Sequence, residues 1–205
     1  MGYLIGMVPS ADLAARLATG GATDLRSTGS GNPGAANAMA ALGRGWGWAV
    51  MAADITKGAV ACMAGARLAG AMGADVGGTA AVAGHCYPVW NGFRGGKGVA
   101  VSAGQCLATF PAYLPIDLTV AYAVARLRGR ALPATAVAST VWVGAGVLWW
   151  RQGWPNAWRP TPGPSLPLSA AVTSAVIITR FATAARRRNT ALSTTTAPTA
   201  AATGL

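Results

Sequence analysis

Acid is nearly missing from this chain. It has no glutamate, and its five acidic residues are Asp12, Asp24, Asp54, Asp75 and Asp117. Charged residues of both signs make up 10% of the sequence, where a soluble domain carries roughly a quarter. That scarcity excludes an ordinary water-facing surface. There is one histidine, His85, and there are three cysteines, Cys62, Cys86 and Cys106. The cysteines lie inside apolar stretches, are odd in number and lack metal-ligand spacing. They read as small buried hydrophobes, not as a disulfide framework or a metal site. No Ser-His-Asp arrangement is visible. The absence of a repeat of roughly 20–50 residues removes direct support for an inverted-repeat transporter. Residues 1–11 have no basic start and no Ala-x-Ala site, so they do not read as a cleaved leader.

What remains is apolar and basic. Hydrophobic residues make up 53% of the chain, and 16 Lys and Arg give a net charge of +11. The cations are scattered one or two per loop, without a basic stripe or interleaved stacking aromatics, which excludes nucleic acid as a partner. The apolar residues fall into seven segments, at 2–17, 46–69, 76–90, 99–110, 113–125, 132–150 and 166–181. This pattern predicts an all-α fold, a polytopic membrane helical bundle of about seven helices, several of them short. The fourth and fifth segments are too short to cross comfortably alone, and are expected to tilt or to sit where the bilayer thins. Abundant Gly and Ala predict helices packed backbone to backbone in lipid. Residues 1–188 form the expected membrane domain, and the Thr/Ala-rich residues 189–205 an expected disordered tail.

Positive charge sets the expected orientation. With the amino terminus outside, the inner loops hold Arg16, Arg26, Arg44, Arg94, Lys97, Arg126, Arg128, Arg130, Arg180, Arg186, Arg187 and Arg188. The outer loops hold only Arg67, Arg151 and Arg159, and Lys57 lies within a helix. The stretch 151–164, with four prolines and with Trp154 and Trp158, reads as an outer interfacial loop.

Two inner loops carry candidate chemistry. In the turn Gly95-Gly96-Lys97-Gly98, flanked by long uncharged runs, glycines allow close backbone approach to an anion and Lys97 supplies charge. The other reading is a basic loop held at the inner face by topology. The stretch Gly29-Ser30-Gly31-Asn32-Pro33-Gly34 matches G-x-G-x-x-G, but no strand precedes it, so a dinucleotide fold is excluded. It reads as a glycine loop opening a short helix, either a phosphate cradle or a capping turn. Asp54 and Lys57 lie three apart in an apolar segment, so they share a helix face and are expected to pair. A lone histidine on an apolar helix is usually a packing residue, yet His85 lies near Lys97.

Together these pieces resemble one family. Asp24-Leu25-Arg26 leading to Gly29-Ser30-Gly31-Asn32, Gly34-Ala35 and Asn37 looks like its first motif. Asp54-x-x-Lys57-Gly58 follows, and Gly84-His85-x-Tyr87-Pro88 leading to Phe93-Arg94-Gly95-Gly96-Lys97-Gly98 looks like its second. The family is the bacterial acyl-phosphate-dependent glycerol-3-phosphate acyltransferases of the inner membrane. The resemblance implies a multi-pass enzyme of phospholipid biosynthesis that moves a fatty acyl group from acyl phosphate to the 1-hydroxyl of glycerol 3-phosphate, giving lysophosphatidic acid. Membrane lipid is a further implied partner. No metal or organic cofactor is implied. The candidate catalytic residues are Ser30, His85 and Lys97. The candidates for holding substrate phosphate are Gly29, Ser30, Gly31, Asn32, Asn37, Lys57, Gly95, Gly96, Lys97 and Gly98.

The chain departs from the family pattern at Ala36 and Ala40, where threonine and arginine are usual. It departs again at Ala131 and Ala134, near two usual serines, and at Phe181 and Ala184, in place of histidine and asparagine. A second reading is therefore a divergent, weakly active or inactive member that binds a phosphorylated lipid or uses another acceptor.

Overall fold

A computed structural model describes residues 1–126 and 131–195. The expected inner cations Arg128 and Arg130 and the tail 196–205 lie outside the described residues. The described chain is helical, with no strand among the described residues beyond a single bridge between Asn156 and Arg159.

The first apolar segment is two helices, α1 (Gly2–Gly6) and α2 (Ser10–Thr19). Pro9 stands between them as the N-cap of α2, where its missing N–H costs nothing. After the first glycine loop, α3 (Ala35–Leu42) is the expected short helix. The second and third segments form α4 (Arg44–Cys86), whose helical geometry breaks at Ala69 and Gly70. Around that break Gly65 lies on Gly73 and Gly77 on Ala61. The pairs sum to nearly constant residue numbers, so α4 is an antiparallel hairpin of two limbs turning at Ala69–Gly70.

The fourth and fifth segments form α5 (Val99–Thr109) and α6 (Leu114–Arg126), joined by a 3-10 turn at Pro111–Tyr113. The chain bends by 115° there. Two long helices complete the bundle, α7 (Ala131–Gln152) and α8 (Ser165–Thr195). Among the described residues three helical stretches are long and apolar enough to cross a membrane, or four if the bent pair counts as one span. That is fewer than the seven segments read from sequence. One counted stretch, Arg44–Asn91, contains both limbs of the hairpin. The short helices fall below the roughly 20 residues a crossing needs.

Helix α8 runs through residues 189–195, where a disordered tail is expected. Extending an existing helix fixes one residue per hydrogen bond, whereas starting one fixes three, so an alanine-containing segment continues readily from a long helix.

The limbs pack through small residues. Gly58 meets the Val101 backbone and Gly104 the Ile55 backbone, which seats α5 on the first limb of α4. Tyr3 meets Gly84, and the Tyr3 hydroxyl donates to Tyr87 O at 2.5 Å, which fixes α1 on the second limb. The three cysteines are buried and free, as expected. Midway through the bundle Gln105 is buried but satisfied. It donates to Thr79 Oγ1 at 3.3 Å and accepts from Thr173 Oγ1 at 3.0 Å, tying the hairpin, α5 and α8 together.

A Cβ at position 65 would collide with the Gly73 carbonyl, so Gly65→Val should wedge the hairpin open. Thermal unfolding in detergent should show a loss of about 1–3 kcal/mol. Gly144→Val, where nothing stands within 4 Å of the added carbon, should change stability little. Equal behaviour of the two variants would refute the tight hairpin.

Candidate functional site

At one end of the bundle the second limb of α4 ends in a tight return. Gly95 N donates to Cys86 O at 3.2 Å and Gly96 N to His85 O at 3.1 Å. Side chains are excluded here, because a Cβ on Gly96 would strike the His85 ring and one on Gly95 the His85 carbonyl. From α8, Arg180 holds the other edge of the turn, its Nη2 donating to Gly95 O at 2.5 Å and its Nε to Gly96 O at 3.1 Å. Its guanidinium also lies 5.2 Å over the Tyr87 ring. The Gly95 and Gly96 amides, expected to point at an anion, are thus turned back onto α4. Helix-end carbonyls need donors, and these amides supply them.

The turn forms one wall of a small cleft with about 290 Å³ of space, open toward solvent. Its polar lining includes Ser10, Asp12, Asp54, Lys57, His85 and Asn91, with Arg26 beside them. Lys57 Nζ is 2.8 Å from Asp54 Oδ1, so the pair expected from sequence forms. The same ammonium donates to Val8 O at 3.0 Å and lies 3.3 Å from Ser10 Oγ, which itself donates to Asp54 Oδ1 at 2.9 Å. Lys57 Nζ is also 2.9 Å from His85 Nδ1. An ammonium has no lone pair to offer, so His85 Nδ1 must be the acceptor and the ring proton sits on Nε2. That nitrogen faces Gly96. His85 is therefore arranged as a hydrogen-bond donor toward the turn, with its basic nitrogen occupied.

A second ion pair ties the loops together. Arg26 grips both Asp12 oxygens, at 2.5 and 3.1 Å, and its Nε donates to Arg94 O at 3.1 Å. Asn91 Nδ2 donates to Asp12 Oδ2 at 3.2 Å. One guanidinium thus joins the first glycine loop, α2 and the second glycine turn. Inside the first loop Asn37 is buried, and its carboxamide is spent on the backbone. Its Oδ1 accepts from Ser30 N at 3.0 Å, and its Nδ2 donates to Leu25 O and Thr28 O at 2.8 and 2.9 Å. Asn37 shapes the loop and does not reach out from it.

The sequence candidates separate accordingly. Lys57, His85, Gly95 and Gly96 share the cleft. Gly29, Ser30, Gly31 and Asn32 sit in the neighbouring loop, of which Arg26 and Pro33 line the cleft. Lys97 lies with its ammonium 4.5 Å over the Phe181 ring. Gly98 packs against Cys86, Val82 and Ile177. Ala36 and Ala40 are exposed on α3. The sequence reading missed Ser10, Asp12 and Asn91 as site residues, and counted Arg26 and Arg180 only as inner charges. Nothing local marks Asp12 as the partner of an arginine fourteen residues on. Only folding brings them together.

The bundle and its cleft define a helical membrane protein whose polar site is built where its loops converge at one end. The family model described as glycerol-3-phosphate acyltransferase matches residues 1–191. The chain belongs to that family. A curated glycerol-3-phosphate acyltransferase of Symbiobacterium thermophilum is 40% identical over 151 residues, covering 72% of this chain and 67% of the relative. Glycerol-3-phosphate acyltransferase 4 of Dehalococcoides mccartyi is 47% identical over 112 residues, covering 52% of this chain and 57% of the relative. The chain thus spans between half and two thirds of the length of these relatives. Two crystal structures of PlsY, an integral membrane glycerol 3-phosphate acyltransferase, share the fold. Its glycerol 3-phosphate form has a TM-score of 0.70 at 30% identity, covering 93% of this chain and 89% of that one. Its lysophosphatidic acid form has a TM-score of 0.71 at 29% identity, with the same coverage.

Removing one partner of the buried pair strands the other's charge. Asp54→Asn should cost about 3–5 kcal/mol of stability, and Lys57→Met added to it should recover much of that loss. Calorimetry on the purified variants checks this. A single variant as stable as the parent would mean that Asp54 does not balance Lys57.

Proposed function

We propose that the chain transfers a fatty acyl group from acyl phosphate to the 1-hydroxyl of glycerol 3-phosphate, giving lysophosphatidic acid and inorganic phosphate. The observation that carries this reading is the bridge made by Arg26. It holds the Ser30 loop and the Lys97 turn, the family's two polar motifs, beside one cleft. The PlsY forms with glycerol 3-phosphate and with lysophosphatidic acid support it.

Acyl phosphate is already an activated acyl donor. The glycerol hydroxyl attacks its carbonyl carbon, the new ester bond forms, the bond to the phosphate oxygen breaks, and the departing phosphate takes up the hydroxyl proton. No protein nucleophile is required, so the protein's work is positioning and charge stabilisation. Lys97 and Ser30 bind phosphate oxygens, with Gly29, Gly31, Asn32 and Gly98 shaping the approach. His85 contributes an Nε2 donor at the turn. Asn37, Lys57, Gly95 and Gly96 act through the scaffold, since their polar groups are engaged within the protein.

The test is direct. Purified protein given acyl phosphate and glycerol 3-phosphate should form lysophosphatidic acid. Lys97→Ala should lose about 2–5 kcal/mol of substrate binding or transition-state stabilisation while remaining folded. Lys97→Arg should rescue only in part, because a planar fork does not replace a point charge between two glycines. Phe181→Leu removes the ring under the ammonium and leaves the charge, so it should keep the turnover that Lys97→Ala loses. Wild-type affinity for glycerol 3-phosphate in Lys97→Ala would overturn the role of Lys97.

We also propose that the amino terminus lies outside and the carboxyl terminus in the cytoplasm, with the cleft facing the cytoplasm. The excess of positive residues in the loops on that side supports this. Cysteine-accessibility labelling should find the exposed positions 30 and 94 on the cytoplasmic side and position 159 outside. Labelling of 94 and 159 from the same side would refute this orientation.

A further inference from the structure

The bundle has a second polar cleft at its other end. Asp75 stands ten residues before His85 on one limb of α4, and Ser165 stands fifteen residues before Arg180 on α8. At 1.5 Å per residue, about 15–22 Å of helix separates the two regions. The second cleft is open to solvent and is lined by Ala71, Ala74, Thr109 and the loop 160–163.

Its chemistry is a separated charge pair. Asp75 is 4% exposed, and its Oδ2 accepts from Ser165 Oγ at 2.6 Å. Arg159 lines the same space. Among the described residues no ion pair joins this guanidinium to the carboxylate. A carboxylate and a guanidinium that face one cleft without meeting complement a ligand bearing a cation and an anion a few bonds apart.

The cleft is also held in shape. Asn156, 3% exposed, donates from Nδ2 to Thr109 O at 2.9 Å and to Pro160 O at 3.3 Å, and its Oδ1 accepts from Ala112 N at 3.3 Å. Arg159 N donates to Asn156 O at 2.9 Å. The next residue, Ala157, is held at φ +50, a left-handed conformation that a residue with a Cβ adopts only when its surroundings impose it.

Position names the source of the ligand. The loop joins α7 to α8, and both contain span-length apolar stretches, so it lies at a membrane surface. Trp154 and Trp158, 41% and 71% exposed, project from it as interfacial aromatics do. We propose that this cleft binds the headgroup of a zwitterionic phospholipid carrying a primary ammonium, with the ammonium on Asp75 and the phosphate on Arg159. A quaternary ammonium has no N–H to donate to the carboxylate. An anionic headgroup without a cation leaves Asp75 uncompensated in a buried position, which is costly. The proposal is independent of acyl transfer, and its test reads no activity.

The test uses the full chain in phosphatidylcholine nanodiscs doped with phosphatidylethanolamine or phosphatidylglycerol. Lipid retained on the protein is read by native mass spectrometry, with thermal unfolding in parallel. Wild type should retain phosphatidylethanolamine over phosphatidylglycerol by about tenfold. Asp75→Asn should abolish that preference, and Arg159→Gln should weaken retention of phosphatidylethanolamine. Should Asp75→Asn fail to fold, Ser165→Ala, which frees the carboxylate from its orienting hydroxyl, should still reduce the ratio. Inorganic phosphate at matched concentration, which lacks the ammonium, should not raise the unfolding temperature. No preference in wild type, unchanged phosphatidylethanolamine retention in folded Arg159→Gln, or equal protection by inorganic phosphate would each overturn the proposal.

Discussion

The structure depends on helix backbones meeting at glycine. Lipid tails are as apolar as leucine, so burying apolar surface gives little drive for one membrane helix to choose another, and close van der Waals contact must supply it. Here Gly58 on Val101, Gly104 on Ile55, Gly65 on Gly73 and Tyr3 on Gly84 bring α1, the two limbs of α4 and α5 to backbone distance. The cleft follows from that spacing. Lys57 on the first limb reaches His85 on the second at 2.9 Å, and Val8, just after α1, at 3.0 Å, because neither side chain has to bridge a wider gap.

That closeness makes buried charge tolerable. Lys57 and Asp54 are 7% and 3% exposed, and an isolated ion there would be prohibitive. The ammonium has three protons and four acceptors within reach, and the Asp54 oxygen that meets it also accepts from Ser10. A network satisfied at this level rigidifies its surroundings. The rigidity passes to His85, whose tautomer Lys57 fixes, and from His85 to Gly96 packed on its ring. Structural residues of the membrane interior thus determine what the loop at the surface presents.

Sequence made the architecture legible where periodicity and charge scarcity speak directly. The apolar segments locate the helices, and the three-residue spacing of Asp54 and Lys57 predicts their contact. It failed where the same residue types admit two geometries. Glycines beside a lysine are consistent with amides aimed outward at an anion, but Gly95 and Gly96 aim inward. The deciding partner, Arg180 from α8, is some eighty-five residues away in the chain. Asn37 was legible as part of a polar motif, yet its role in bracing the Ser30 loop needs the positions of Leu25 O and Thr28 O. The Asp12–Arg26–Arg94 link has no sequence signature, because its members lie on three separate elements. A hydropathy run shows that a segment is apolar, but not that Pro9 divides it or that the chain bends by 115° after α5.

The departures from the family pattern acquire physical content at Phe181. Phe181, where the family pattern has histidine, gives Lys97 a ring face that carries no nitrogen and no charge, 4.5 Å from the centroid. Such a contact is worth about 0.5–2 kcal/mol, the upper end applying when it is desolvated. A phosphate drawing Lys97 away must exceed that figure, whereas a lysine waiting beside a neutral polar group would move at little cost. The ring also holds the ammonium in place, and under the proposed role of Lys97 that lowers the entropy lost on binding phosphate. The two effects oppose each other in affinity but agree in structure, because both keep Lys97 beside the turn. On the role proposed for Lys97, the substitution bears on how strongly that lysine competes for phosphate.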